Sequence, residues 1–154
     1  MPTSLDLQSA AASQFIQQFW PQARDSGSRI LAPDFREIIL CGCGDSHHAA
    51  YALSYALANW TGHPAQGLHA MEAARYVIPQ SVGEDLLVIG ISASGETART
   101  IEAVRLAQGL GAHTLGITAD PDSTLATTVD DAFALDLPEQ PEGPGLISYL
   151  AALL

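Results

Sequence analysis

Residues 85–111 read DLLVIGISASGETARTIEAVRLAQGLG, and this stretch restricts the fold more than any other in the chain. It opens with the apolar run Leu86 to Ile91, rich in branched side chains, the pattern of a strand buried on both faces. Ser92, Ala93, Ser94, Gly95, Glu96 and Thr97 follow, small residues dense in hydroxyls. Beyond them Ile101, Val104, Ala107 and Leu110 recur at three-residue steps, and Arg99, Glu102, Arg105 and Gln108 carry the polar side. That spacing predicts an amphipathic helix of about four turns, closed by Gly109 or Gly111. A strand, a hydroxyl-rich turn and a helix N-terminus in succession make a place for an anion. The free amides of the first turn and the positive end of the helix dipole point at one spot. Ser92, Ser94 and Thr97 add three hydroxyl donors to it. A plainer reading makes Ser94 an ordinary N-cap, with Thr97 or Glu96 completing the turn. A cap needs one hydroxyl, however, and this turn carries three around Gly95.

Charge narrows the partners. Six arginines, no lysine and 17 acidic residues give a net charge of −11. Such a surface repels nucleic acid and anionic lipid, so neither is expected to bind. It also dictates how a phosphate is held, by neutral donors and helix amides, with an arginine as the only cationic help. The 154 residues suffice for one domain with a real core and are too few for two of ordinary size. Cys41 and Cys43, the only cysteines, stand two apart at a strand end, a placement that disfavours a disulfide and fits a reducing compartment. The first residues lack the basic and apolar regions of a secretory signal, and no apolar run reaches membrane-spanning length. A soluble cytoplasmic protein is the expectation.

Along the chain, Phe15, Ile16, Phe19 and Trp20 predict a leading helix that ends near Pro21, a helical arm over residues 1–28. Residues 37–41 (EIILC) form a short buried strand that runs into Gly42, Cys43, Gly44, Asp45 and Ser46. The helix expected next, from about His47 to Trp60, is apolar almost all round and must be covered on more than one side, within the domain or by another subunit. Residues 65–69 read as a second strand, and 71–77 as a short helix stopped by Pro79. After the central unit come a strand over 112–118, a short helix near 124–127 and an edge strand over 131–137. A connector rich in proline and glycine, starting at Pro138, leads into an apolar helix over 146–154. Strands alternating with helices predict an α/β fold, a doubly wound parallel sheet of about five strands. Ligands of such sheets bind beyond the carboxyl ends of the strands, where the strand order reverses. Both turns, 42–46 and 92–97, are expected there.

Three familiar chemistries fit poorly. Gly42-Cys43-Gly44 begins a dinucleotide-binding pattern, but His47 occupies the third glycine position and no acid ends the next strand near His69. Gly90-Ile91-Ser92-Ala93-Ser94 misses a nucleophile elbow because Ser94 replaces the required glycine. Cys41, Cys43, His47 and His48 cluster in sequence, yet Cys41 belongs to the strand interior and adjacent helical histidines diverge by about 100°. No metal and no cofactor is expected. His48, in the first turn of its helix beside the crevice, is a candidate for chemistry, with helix capping or packing as its alternative role.

CGCGDSHHAA, then ISASGET, RLAQGLGAHTLGIT and DPDSTLA, closely resemble the sugar-isomerase (SIS) domain over roughly residues 30–137. The isomerase half of the glutamine–fructose-6-phosphate aminotransferases is the most similar branch, with CGTSYHA, SQSGET and STLA in the same order. The resemblance implies a flavodoxin-like domain, bounded here at 29–137, that binds a phosphorylated sugar. Matched by motif, Cys43, Gly44, Asp45 and Ser46 correspond to the sugar-binding turn, and Ser92, Ala93, Ser94 and Thr97 to the phosphate cradle. Asp45 replaces the usual threonine or lysine, and Ala93 the usual glutamine or asparagine, which bears on which sugar fits.

Two-module members of this family carry the enolisation base and ring-opening groups in a second module and a C-terminal tail, and nothing here matches them. The chain is therefore expected to be a fragment or a subunit that pairs with a second module or with itself. The resemblance implies that it belongs to an aldose–ketose isomerase or aminotransferase-like enzyme; the competing class is a non-catalytic module that senses a phosphosugar. Of the ionisable groups near the crevice, Glu96 is expected to be structural, since the helix dipole stabilises its carboxylate. His48 and Glu72 remain as candidates for proton transfer, and the chain alone is expected to be a poor isomerase.

Overall fold

The computed structural model describes residues 35–81 and 83–134, together with Gln17. Apart from Gln17, the expected arm over 1–28 lies outside the described residues, as do the connector and helix over 138–154. Five apolar segments form strands β1 (Glu37–Gly42), β2 (Ala65–His69), β3 (Leu86–Ile91), β4 (His113–Thr118) and β5 (Asp131–Ala134). They pair in parallel in the order β2-β1-β3-β4-β5, the doubly wound sheet expected from the alternation and the flavodoxin-like arrangement that the resemblance implies. Between them lie α1 (Asp45–Thr61), the single turn α2 (Ala70–Glu72), α3 (Ala98–Gly109) and α4 (Thr124–Thr128).

Side chains alternate across the sheet and so build two cores. Ile38 and Leu40 of β1, Leu87, Ile89 and Ile91 of β3, and Leu115 of β4 pack with Ala49 and Ala50 of α1 on one face. Ile39, Cys41, Leu86 and Val88 pack on the other face, against Ala70, Ala73 and Ala74 and against Ile101, Val104 and Ala107 of α3. Burying each of these large aliphatic side chains contributes roughly 1.5–3 kcal/mol. That sum, rather than helix propensity, holds the layers together. Cys41 is fully buried and its thiol is pushed up to about 12, chiefly by burial; both cysteines are free.

The structure corrects three expectations of detail. Helix α1 starts at Asp45, ahead of His47, because Gly44 (φ 57°) already turns the chain at the end of β1. Helix α3 has 12 residues, shorter than four turns, because the chain does not turn helical until after Thr97. The segment after β2 is not an ordinary helix stopped by Pro79. It passes from α2 through a π-helical turn (Ala73–Val77) into a 3₁₀ turn (Ile78–Gln80), and Pro79 sits in that last turn, where a missing amide costs little. Helix α1 is covered on one side among the described residues, and the second cover the sequence calls for, from the domain or from another subunit, is not among them. Ala49, Ala50 and Ser54 are buried, while Tyr51, Tyr55 and Trp60 are 53%, 62% and 79% exposed.

Candidate functional site

Strands β1 and β3 are adjacent, yet their following helices lie on opposite faces: α1 with Ile38 and Leu40, α3 with Ile39 and Cys41. The chains leaving Gly42 and Ile91 therefore part company at this point. Gly42 and Ile91 are register partners, so the turns 43–46 and 92–97 start side by side at the carboxyl edge. This is the topological switch point at which ligands bind in such sheets.

The turn after β3 is built by its own hydroxyls. Ser92, 2% exposed, accepts from the Gly95 amide (3.1 Å) and shares a hydrogen bond with the Thr97 hydroxyl (2.9 Å). Ser94 is exposed and its oxygen accepts from the Glu96 amide (3.2 Å), which leaves its hydrogen to donate outward. The expectation of three outward donors is thus reduced to two: Ser94, and one hydrogen left over from the Ser92–Thr97 pair. Thr97, not Ser94, is the N-cap of α3, and it makes no side-chain cap bond. The amides of Thr97, Ala98 and Arg99 find no acceptor among the described residues. Ala93 is exposed at the lip, and its carbonyl is held from behind by the Ala119 amide (2.9 Å) and the Thr118 hydroxyl (3.3 Å).

Neutral donors facing outward are what the absence of lysine demands. Arg99, in the first turn of α3, is engaged with Glu102, and Arg75 pairs with the same carboxylate at 2.6 Å. Both arginines are exposed, so these pairs contribute at most about 1 kcal/mol each and can be released.

The turn after β1 presents backbone more than side chains. Cys43 is half-buried, packed against the α3-side core, so its thiol does not face outward freely. Gly44 and Asp45 are exposed and Ser46 is half-buried. The Asp45 carboxylate makes no hydrogen bond or ion pair among the described residues. The Gly44 carbonyl accepts a hydrogen bond from His48 Nδ1–H at 3.0 Å, a contact that holds the ring against the turn without capping the helix, since α1 has no side-chain cap bond.

Glu96 is structural, as expected, though by a different contact. Its carboxylate accepts from the amide (2.7 Å) and hydroxyl (2.8 Å) of Thr124 and so pins the cradle to the start of α4. Those bonds hold its carboxyl below the usual range. A depressed folded value contributes stability that is present above the ordinary glutamate pKa, about 4.3, and is lost as pH falls through the lower folded value. Thermal midpoints measured across the acid range should therefore fall less steeply below about pH 4.3 in Glu96→Gln than in the natural chain; superimposable curves would show that the Thr124 contact contributes nothing.

Sequence reasoning missed two groups. Ser123 and Thr118 buttress the cradle from behind, and the Leu125 amide bonds to the Gly95 carbonyl (2.9 Å). The DPDST turn signal marked that element but not its contact with the cradle. His69 ends β2 opposite Gly42 and meets His47 edge-on at 5.5 Å between ring centroids. Glu72 is exposed on α2, close enough that its charge bears on His47. No group of three His, Cys, Asp or Glu among the described residues could hold a metal ion.

A five-stranded parallel sheet with paired anion-ready turns at its switch point defines an α/β domain of the small-ligand-binding kind. The chain belongs to the SIS domain family, which it matches over residues 34–154. It is 37% identical over 104 residues to glutamine–fructose-6-phosphate aminotransferase (isomerizing) of Gloeobacter violaceus, a match covering 68% of this chain and 17% of the relative. The enzyme of the same name from Aquifex aeolicus is 38% identical over 84 residues, 54% of this chain and 14% of the relative. The chain thus spans less than a fifth of the length of these curated relatives. Its fold also matches the C-terminal domain of glucosamine–fructose-6-phosphate aminotransferase from Francisella tularensis, at TM-score 0.68 and 23% identity over 78% of this chain and 35% of that one. Tagatose-6-phosphate ketose/aldose isomerase from Escherichia coli matches at TM-score 0.73 and 22% identity, over 97% and 44%. At such identities the two structures speak for the fold alone.

Proposed function

We propose that this domain binds a phosphorylated sugar across the β1–β3 switch point, as one module of an aldose–ketose isomerase or aminotransferase-like enzyme. The phosphate sits on Ser92, Ser94, Thr97 and the amides opening α3, against the Ala93 lip. The sugar lies over Cys43, Gly44, Asp45 and Ser46. The observation that carries this reading is the register of Gly42 with Ile91, which sets a turn with free amides and outward hydroxyls beside a second helix N-terminus. The relatives named above are sugar-phosphate enzymes, which favours the enzymatic reading over a module that only senses the sugar. Two free cysteines suit a reducing, cytoplasmic setting. No helix among the described residues is long and apolar enough to cross a membrane. The test is a thermal-shift screen against pentose and hexose phosphates, since a ligand of the folded state raises the midpoint by mass action. Midpoints unmoved by every sugar phosphate at millimolar concentration would sink the reading.

Asp45 sets an unpaired carboxylate near the bound dianion. Replacing it by asparagine removes a repulsion of about 1 kcal/mol at hydrogen-bonding range in water, so Asp45→Asn should bind inorganic phosphate more tightly by up to about fivefold. Weaker phosphate binding in calorimetry would mean instead that Asp45 holds the ligand.

The bare side of α1 supports pairing, either with a second copy or with another SIS module. Tyr51 and Tyr55 stand edge-to-face there, their hydroxyls 2.8 Å apart, and Trp60 lies near the end of the same helix. Sedimentation at micromolar concentration should find a dimer that Tyr55→Glu disrupts. A natural chain that sediments as a monomer excludes self-pairing.

A further inference from the structure

Helix α3 opens with a charge of the wrong sign. Its first turn holds no acid, and Arg99, the second residue of the helix, sets a cation at the positive end of the dipole. Glu96, the nearest acid before the helix, is engaged by Thr124 at the start of α4. Arg99 turns instead to Glu102 one turn on, an i,i+3 pair with the cation on the N-terminal side, the less favourable order. That pair offsets the misfit only in part. An anion at the helix start would remove it.

Glu102 does not depend on Arg99. Arg99 bonds its Oε2, while Arg75, on the π-helical turn after β2, takes Oε1 at 2.6 Å. Two cations thus share one carboxylate, a local surplus of positive charge on a chain whose net charge is −11. The Arg99 bond does most to hold the Glu102 carboxyl below its usual range, and the charge of Arg75 acts in the same direction. When Arg99 leaves, Glu102 keeps Arg75. Arg99 is also free to move, with its side chain 53% exposed. Its own amide is one of the three at the helix start that find no acceptor among the described residues, so its backbone borders the proposed phosphate. Along the axis Arg99 lies only about 3 Å from Thr97. Side chains on a helix lean toward its N-terminus, so a guanidinium released from Glu102 falls back over the first turn.

We propose that Arg99 is an exchangeable clamp for the ligand's phosphate, held on Glu102 in the free protein and moved onto the anion when it binds, while Arg75 keeps Glu102 paired. The inference rests on the sugar-phosphate reading above and deepens it, since it names the cation that a chain without lysine brings to a dianion. In the free state Arg99 pairs across an exposed surface, where such a bond contributes little. In the bound state it meets a doubly charged oxyanion, in the two-bond geometry that a guanidinium offers to phosphate. The same anion satisfies the dipole and the free amides of α3. Glu102 competes with the ligand for Arg99 and so sets the affinity.

A double-mutant cycle read by calorimetry tests the exchange. The full chain is titrated with fructose 6-phosphate, ribose 5-phosphate and inorganic phosphate at one ionic strength. Arg99→Gln should weaken binding at least about tenfold, through loss of a charge-assisted pair, and Arg99→Lys should recover part of it. Glu102→Gln should do the opposite and tighten binding by about two- to fivefold, because it removes the competitor. In the double variant that gain should disappear, leaving the affinity of Arg99→Gln alone. Deleting a negative charge that acts only through the general field tightens binding equally in both backgrounds, so the missing gain is specific to the exchange. Unchanged affinity in Arg99→Gln, or a Glu102→Gln gain that survives without Arg99, overturns the clamp and leaves the cradle standing. If neither the sugar phosphates nor inorganic phosphate binds the natural chain at millimolar concentration, the cradle falls and the clamp with it.

Discussion

Replacing Gly95 by alanine should lower the thermal midpoint by roughly 5–15 °C. Gly95 holds φ 66° in the middle of the cradle, a conformation that costs an L-residue roughly 1–2 kcal/mol. A β-carbon there would also overlap the Ser123 hydroxyl and come within 2.8 Å of the Thr118 hydroxyl. Ser123 cannot easily withdraw, because its hydroxyl donates to the Asp120 carbonyl at 2.7 Å and caps α4. Overpacking of this kind adds roughly 1–3 kcal/mol. In a domain of this size each kcal/mol moves the midpoint by about 2–4 °C, which sets the range above. Calorimetric scanning of the variant is the measurement. A midpoint within about 2 °C of the natural chain would mean that the cradle is looser than its contacts imply. Weaker ligand binding should accompany the loss, because the Gly95 amide bonds to Ser92, whose hydroxyl shapes the turn.

Ser94→Ala should do the reverse, leaving the fold intact and weakening the ligand. Ser94 is exposed, and the Glu96 amide it serves can turn to water. Its remaining hydrogen faces outward, where the proposed phosphate lies. Losing a hydrogen bond to a charged group costs roughly 1–3 kcal/mol. Affinity for a sugar phosphate should therefore drop roughly 5- to 150-fold in calorimetry, with the thermal midpoint of the free protein nearly unchanged. Unchanged affinity would remove the phosphate from this turn.

Much of this was legible in the residues because it depends on local rules. Strands β1 and β3 announce themselves as unbroken runs of branched side chains, since both faces are buried. The turn over 92–97 was legible because small hydroxyl residues between an apolar run and an amphipathic helix have few other uses. Covering one face of α1 and leaving Tyr51 and Tyr55 bare was not legible, because an apolar helix reads the same whichever side finds a partner.

The sequence by itself therefore determined the alternation of strands and helices, the parallel sheet and the chemical character of each turn, all set by periodicity and side-chain type within short windows. Tertiary structure decided what met what. Whether Ser92 offers its hydroxyl outward or spends it on Thr97 depends on how sharply the chain bends at Gly95, and that bend is supported by Ser123 and Thr118 from two elements later. Glu96 reaches Thr124 only because α4 returns to the same edge. His69 joins His47 because β2 lies beside β1, with more than twenty residues of chain between them. Contacts between residues so far apart depend on loop closure and on packing of the whole sheet, and no local window contains them.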